Sequence, residues 1–234
     1  MFRYETHLHT FPVSKCAKST VREALEFYRA LSYDGVVITN HFVNNNINID
    51  RTLPYAEKLE FFISDYEEAL RLSEEIGIKV FYGIEIGHGG SDFLVYGLTP
   101  DWYRAHPEMM EMKFSECLAS LKEAGALVIH AHPFRDSSYI DHIRLFPRVT
   151  EGVEIFNAGR TPFENEMARQ YAQNYEMLPF AGSDNHRAAE KPILGGMEGE
   201  TPAESIEDFV RMVRSGELKP FRLDNPFISK ENDE

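Results

Sequence analysis

The chain has 234 residues, 43% apolar and 26% charged, which excludes a disordered segment and allows a large buried core. A formal net charge of -14, from 38 acidic and 24 basic residues, opposes non-specific attachment to nucleic acid or anionic membranes but leaves room for a small anionic ligand drawn by local charge. Cys16 and Cys117 lie far apart and outside any CxxC arrangement, so neither a disulfide framework nor a thiolate zinc site is expected, and no apolar run approaches the roughly 20 residues of a membrane span.

Short apolar runs alternate with stretches of helical periodicity, the pattern of a parallel sheet with helices outside it. In chain order the first expected elements are a strand over 2–8, a helix over 20–31 with Ser19 or Thr20 as N-cap, and a strand over 35–39. A long asparagine-rich polar loop over 44–59 and a helix over 64–76, opened by Ser64 and closed by Gly77, come next. Strands over 79–86 and 92–97 follow, then a helix over 114–123 stopped by Gly125, and strands over 126–130 and 152–156. A helix over 163–173, a strand over 178–181 and a helix over 202–215, with Pro202 in its first turn, complete the pattern. No linker-like stretch divides these elements, so residues 1–228 are read as one domain and 229–234 as a frayed tail. The residues ahead of His7 lack the layout of a secretory leader, and a cytoplasmic location is expected.

Six of the nine histidines fall at the ends of expected strands. Residues two apart on a strand project to one side, so His7 with His9, His130 with His132, and Asp184 with His186 can each aim two donors at one point. His41 and Glu85 also stand at the ends of apolar runs. In an α/β barrel the strand C-termini form the active face, where donors from five strands would converge, and imidazole with carboxylate suits zinc, manganese or iron. Each residue also has an ordinary reading: Asp184 in Gly-Ser-Asp could cap a helix, Glu85 could lie on the surface, and His41 could be hydrogen-bonded at a strand end. A metal cluster is the economical account, because so many ligand-type residues left unpaired in a semi-buried mouth would be costly.

His7-Leu8-His9-Thr10, Thr39-Asn40-His41, Gly83-Ile84-Glu85, Ala131-His132-Pro133 and Gly182-Ser183-Asp184-Asn185-His186 resemble, in order and spacing, the motifs of the PHP (polymerase and histidinol phosphatase) family. The match runs over nearly the whole chain. The resemblance implies an α/β fold, a distorted seven-stranded (β/α)7 barrel of PHP or TIM-like type, with its metal site at the C-terminal ends of the strands. It implies metal ligands at His7, His9, His41, Glu85, His132, Asp184 and His186, with Glu85 as the bridge. The family ligand is the histidine directly before proline, so His130 becomes a loop residue or one that supports a ligand. Several positions depart from the family. Its usual aspartate between Thr39 and His41 is Asn40, and the acidic or histidine ligand that trinuclear members carry soon after His9 is missing from the run Phe11 to Cys16. A further histidine carried by some members on or after the fourth strand is missing from 93–97, which leaves a third ion without its usual ligands. His88 is expected as an exposed loop residue.

The activity implied is hydrolysis of a phosphomonoester, a small phosphorylated metabolite such as histidinol phosphate or a nucleoside phosphate, by a metal-activated water. Two or three divalent ions, zinc, manganese or iron, would serve. Glu85, Asp184, His132 and Arg135 are the expected catalytic residues. Phosphate also needs cations beside the metals: Arg135 is the first candidate, with Arg160 and Lys15 on the same expected face. Glu154 and Asn157 either orient ligands or start a helix. Neither GxSxG nor GxxxxGK[ST] occurs, which suits a reaction without a protein nucleophile. No dedicated nucleic-acid module and no membrane segment accompany the site. Two alternatives stay open: a nuclease, which would need a basic groove around the metals, and a degenerate metal-binding scaffold without turnover.

Overall fold

The computed structural model describes residues 1–228, and the tail expected to fray, 229–234, lies outside the described residues. The first three strands, β1 (Phe2–Leu8), β2 (Gly35–Ile38) and β3 (Lys79–His88), pair in parallel. They are joined by α1 (Val21–Ala30) and α2 (Tyr55–Ile76). α1 starts where a capping box forms: the Thr20 side chain accepts from Glu23 N, and the Glu23 carboxylate accepts from Thr20 N at 2.8 Å. α2 is one helix of 22 residues that begins inside the expected loop. Leu59, Phe62 and Ile63 are buried at helical spacing and carry the helix back past Ser64, whose hydroxyl donates to Phe61 O instead of capping. Gly77, at φ 74°, ends it as expected.

The chain then reverses. Gly89 and Gly90, at φ 57° and 86°, form a two-residue turn that only positive-φ residues make comfortably, and β4 (Ser91–Tyr96) folds back antiparallel on β3. α3 (Pro100–Ala105), a 3-10 turn over Pro107–Met110 and α4 (Phe114–Glu123) lead to β5 (Leu127–Ala131), antiparallel to β4. β6 (Gly152–Asn157), α5 (Pro162–Asn174) and β7 (Leu178–Gly182) restore the parallel alternation. β8 (Ile193–Gly199), α6 (Ile206–Ser215) and β9 (Lys219–Asp224) complete the fold. α6 starts at Ser205, whose side chain accepts from Asp208 N, so Pro202 lies before the helix and not within it.

The sheet among the described residues has nine strands, in the order β7-β6-β5-β4-β3-β2-β1-β8-β9. The seven expected strands are all present, but the simple (β/α)7 alternation is not: β4 runs backwards, and β8 and β9 add an antiparallel extension to β1. These last two strands escape a reading by apolar runs, because Gly195-Gly196 interrupts β8 and Pro220 with a half-exposed pattern marks β9 as an edge. The curled sheet is nearly closed. Just past β7, Asn185 N donates to His7 O at 3.1 Å, and His9 N donates to Asn185 O at 2.9 Å. The C-terminal ends of β1 and β7 thus meet where the histidines stand, while β8 pairs with the other half of β1, from Phe2 to Tyr4.

A buried cluster draws Tyr4, Val37, Phe81, Tyr96, Leu127 and Phe180 from six strands onto Phe209 of α6. The Phe209 ring lies 5.8 Å from Tyr4 and from Tyr96, and 6.4 Å from Phe180, so α6 seals the end of the barrel remote from the histidines. Among the described residues no helix is long and apolar enough to cross a membrane. Phe209→Ala is expected to cost about 3–5 kcal/mol by opening a cavity under the sheet. Urea denaturation checks this, and a loss under about 1 kcal/mol would mean that α6 does not seal the barrel.

Candidate metal centre

His7 and His9 are fully buried at the end of β1. β7 passes close beside them, and this requires Gly182: a side chain there would begin 2.5 Å from His7 Cβ and 2.9 Å from Glu154 Oε1. Two other residues leave their strands in the left-handed region, His132 at φ 27° after β5 and Asp184 at φ 51° after β7. No helix follows Asp184, since the next element is β8, so its helix-capping reading falls away.

All seven expected ligands come together. Glu85 Oε1 lies 3.2 Å from His7 Nε2 and 3.3 Å from His132 Nε2, and Oε2 lies 2.5 Å from His41 Nδ1 and 3.6 Å from His9 Nε2. Across from it, Asp184 Oδ1 lies 3.6 Å from Nε2 of both His7 and His9 and 3.4 Å from His186 Nδ1. Three overlapping triads result, His7-Glu85-His132, His7-His9-Asp184 and His9-His41-His186, each with donor atoms within 4.8 Å of one another.

The surrounding hydrogen bonds decide which nitrogens are free. Glu154 Oε1 faces His7 Nδ1 at 2.9 Å, while its Oε2 accepts from His132 N at 3.0 Å and from Asn157 Nδ2 at 2.8 Å. A carboxylate accepts, so His7 carries a proton on Nδ1 and turns Nε2 to the cluster. At His9 the same result comes through a relay. Asp65 Oδ2 accepts from Thr10 Oγ1 at 2.7 Å and from Asn40 Nδ2 at 2.9 Å, which fixes the Asn40 amide. Asn40 Oδ1 therefore accepts from Ser14 Oγ at 2.8 Å, and Ser14 Oγ in turn accepts from His9 Nδ1 at 3.1 Å and His41 N at 3.0 Å. His9 Nε2 is left bare. Asp65, buried on α2, stands next to Asn40 and supplies from a helix the carboxylate that Asn40 lacks.

These contacts gather positive charge. Burial works against a charged His7, but the carboxylates of Glu154 and Asp184 outweigh it and hold its pKa well above the ordinary histidine value. At His9, burial acts together with His186 and His41 and pushes the pKa well below it. Burial also opposes ionisation of Glu85 and Asp184, yet the surrounding histidines keep both carboxyls well below their usual range. His7 Nε2 lies 3.1 Å from His9 Nε2 and 3.2 Å from Glu85 Oε1, so one proton there is shared among them, and His41 Nδ1 lies 2.5 Å from Glu85 Oε2. A divalent ion would displace these shared protons, and the mixed nitrogen and oxygen donors fit divalent metal ions.

Other expectations need correction. His130 does not join His132: the left-handed turn at His132 breaks the strand alternation, and His130 stacks on Phe93 at 4.9 Å with Phe146 edge-on at 5.5 Å. Burial pushes its pKa down to about 3, and both ring nitrogens lack partners. Lys15 is exposed and does not line the cleft that holds the cluster, whereas Arg135 and Arg160 both do. Arg135 is not free, because Asp92 Oδ2 holds its Nη2 at 2.8 Å. His88 is exposed, as expected, and stacks on Phe114 at 4.3 Å on the rim. Asp65, Asp92 and Cys16 are the residues that a sequence reading misses. Asp92 reaches the site because β4 is reversed, a turn that Gly89-Gly90 between two apolar runs could have signalled. Asp65 carried a weaker signal, a lone carboxylate on the apolar face of a helix.

Ser14→Ala removes the acceptor that holds the His9 proton and is expected to weaken divalent-ion affinity about 10- to 100-fold. Titration calorimetry measures it, and an unchanged affinity would dismiss the relay. His130→Phe, by contrast, should keep the metal content and raise stability by about 1 kcal/mol, because it removes two unpaired buried nitrogens. Metal analysis and denaturation of the same variant decide this, and lost metal would return His130 to the centre.

A model of the PHP-associated family PHP_C matches residues 162–218, which hold Asp184 and His186. No curated protein sequence matches the chain. Among solved structures, a two-domain protein from Bacteroides vulgatus containing a predicted PHP-like metal-dependent phosphoesterase superposes with a TM-score of 0.67 at 13% identity, covering 94% of this chain. This chain spans only 64% of that protein. A proposed metal-dependent phosphoesterase from Bifidobacterium adolescentis gives a TM-score of 0.53 at 17% identity, covering 91% of this chain and 95% of that one. An amidohydrolase from Chromobacterium violaceum, its structure holding sulfate and no metal, gives 0.57 at 13% identity, covering 98% and 99%. At these identities the likeness is one of fold. In the order of its motifs, in its PHP-associated segment and in its fold, the chain resembles the PHP family.

Proposed function

We propose that this chain is a metal-dependent phosphoesterase that hydrolyses a small phosphomonoester. The observation that carries this reading is the convergence of all seven ligand-type residues at a cleft of about 600 Å³ whose walls also hold Arg51, Arg135 and Arg160. A cleft of that size takes a small molecule, and a chain of net charge -14 repels a polyanion. Divalent ions bound here would neutralise phosphoryl oxygens and activate a water.

The chain's own residues prepare the rest. Glu154 and Ser14 hold Nδ1 of His7 and of His9 and leave each Nε2 aimed at the cluster. Nε is unpartnered in both Arg135 and Arg160, but among the described residues Arg160 forms no ion pair, so its guanidinium is the better candidate to clamp phosphate oxygens. Arg135 is tied to Asp92 and donates to Gly90 O at 3.3 Å, with the Tyr139 ring 5.7 Å away, so it forms a fixed wall. Asp184 and Glu85 supply the negative charge that holds cations in place, and His132 Nε2 is positioned between them, 3.3 Å from Glu85 Oε1 and 4.0 Å from Asp184 Oδ2.

The test is turnover of a panel of phosphomonoesters and phosphodiesters by protein reconstituted with manganese, zinc or iron. Monoester hydrolysis is expected, abolished by a chelator and reduced at least about a hundredfold in Asp184→Asn. Arg160→Ala should raise KM about tenfold with a smaller effect on kcat. Preference for oligonucleotides would replace this reading with a nuclease, and a folded, metal-loaded protein that cleaves neither class would be a scaffold.

A further inference from the structure

We infer that Cys16 is a metal ligand in this centre, so that one ion is held by a thiolate together with the imidazoles of His41 and His186. The inference rests on the metal-centre reading above and adds to it a sulfur donor. Two of the three triads contain a carboxylate, Glu85 or Asp184, whereas His9-His41-His186 is all imidazole. A dication held there by neutral rings would have no anionic ligand of its own, since the adjacent Asp184 and Glu85 carboxylates belong to the other two triads. Cys16 stands at that corner: its Sγ lies 3.2 Å from His41 Nε2, and Cys16, His41 and His186 all line the same cleft. Sulfur and nitrogen bound to one tetrahedral zinc sit about 3.5 Å apart, given bond lengths near 2.3 and 2.1 Å, so the observed spacing needs only a small adjustment.

The backbone holds the thiol in place. Lys15 N donates to Asn46 O at 3.0 Å, Ala17 N to Ser14 O at 3.1 Å, and Lys18 N to His186 O at 2.8 Å, so the loop is fixed on both sides of Cys16 and tied at Lys18 to the segment that carries His186. His41, 8% exposed, is oriented for this: its Nδ1 lies 2.5 Å from Glu85 Oε2, which leaves Nε2 turned to Cys16 Sγ. The run after His9, which lacks the acidic or histidine ligand of trinuclear relatives, thus offers a softer donor in its place. A thiolate with imidazoles selects zinc, iron(II) or cobalt(II) over magnesium or calcium, and the thiol proton is released to solvent when the ion binds. Cys117, the other cysteine, is packed in an apolar cluster and serves as a control.

The metal-free protein is titrated with cobalt(II) under reducing conditions. Ligand-field bands in the visible report bound cobalt, and a thiolate-to-cobalt charge-transfer band in the near ultraviolet reports sulfur. The wild type and Cys117→Ser are expected to show both, whereas Cys16→Ser and Cys16→Asp lose the charge-transfer band and keep ligand-field bands from the other ions. Zinc affinity at the weakened position should fall about tenfold or more in Cys16→Ser. A wild type that binds cobalt without the charge-transfer band, or a band that survives Cys16→Ser, overturns the inference and leaves the metal centre standing. A wild type that binds no cobalt overturns both.

Discussion

The structure turns on Glu85, a carboxylate at 1% exposure set among the imidazoles of His7, His9, His41 and His132. Burying a carboxylate alone costs several kcal/mol, and the group is kept ionised only because positive charge or hydrogen donors surround it. Every neighbouring element is therefore held to a narrow position. β2 ends so that His41 bridges to Glu85 in parallel fashion, β5 ends so that His132 reaches it, and β1 and β7 meet through Asn185 to bring His7, His9 and Asp184 to the opposite side.

That demand is met partly by strain and partly by support. Non-glycine residues at positive φ, His132 and Asp184, aim their side chains where a regular strand end could not. Gly182 lets β7 run against His7 without a side chain between them. Around this, Glu154 and the Asp65-Asn40-Ser14 relay hold the Nδ1 protons, so that Nε2 of His7 and of His9 faces inward before any ligand arrives. Such preorganisation is what allows several like-charged or lone-pair donors to share a small volume without local collapse.

The reversed strand β4 shapes the mouth of the cleft. Its tight Gly89-Gly90 turn forms one rim, and its N-terminal Asp92 faces Ala131 at the site end and ties down Arg135. The Arg135 guanidinium is thereby neutralised, and Arg160, which forms no ion pair among the described residues, becomes the stronger anchor for an anion. On the far side of the barrel, α6 seals the sheet with Phe209, so the cleft opens at one end.

Much of this was legible in the sequence alone. Strands such as β2 and β5 follow from short apolar runs, because both of their faces are buried and leave no polar alternation. The seven ligand-type residues were legible because a strand end followed by histidine or carboxylate is a local pattern, and His7-x-His9 or Asp184-x-His186 keeps its donors within two residues. What only the tertiary structure decided depends on contacts between distant segments. The direction of β4 placed Asp92 at the site and paired it with Arg135, the length of α2 delivered Asp65 to Asn40, and the turn at His132 sent His130 into an aromatic pocket. None of these has a local signature, since a strand's direction, a helix's buried face and a residue's final neighbour are set by packing across the whole chain.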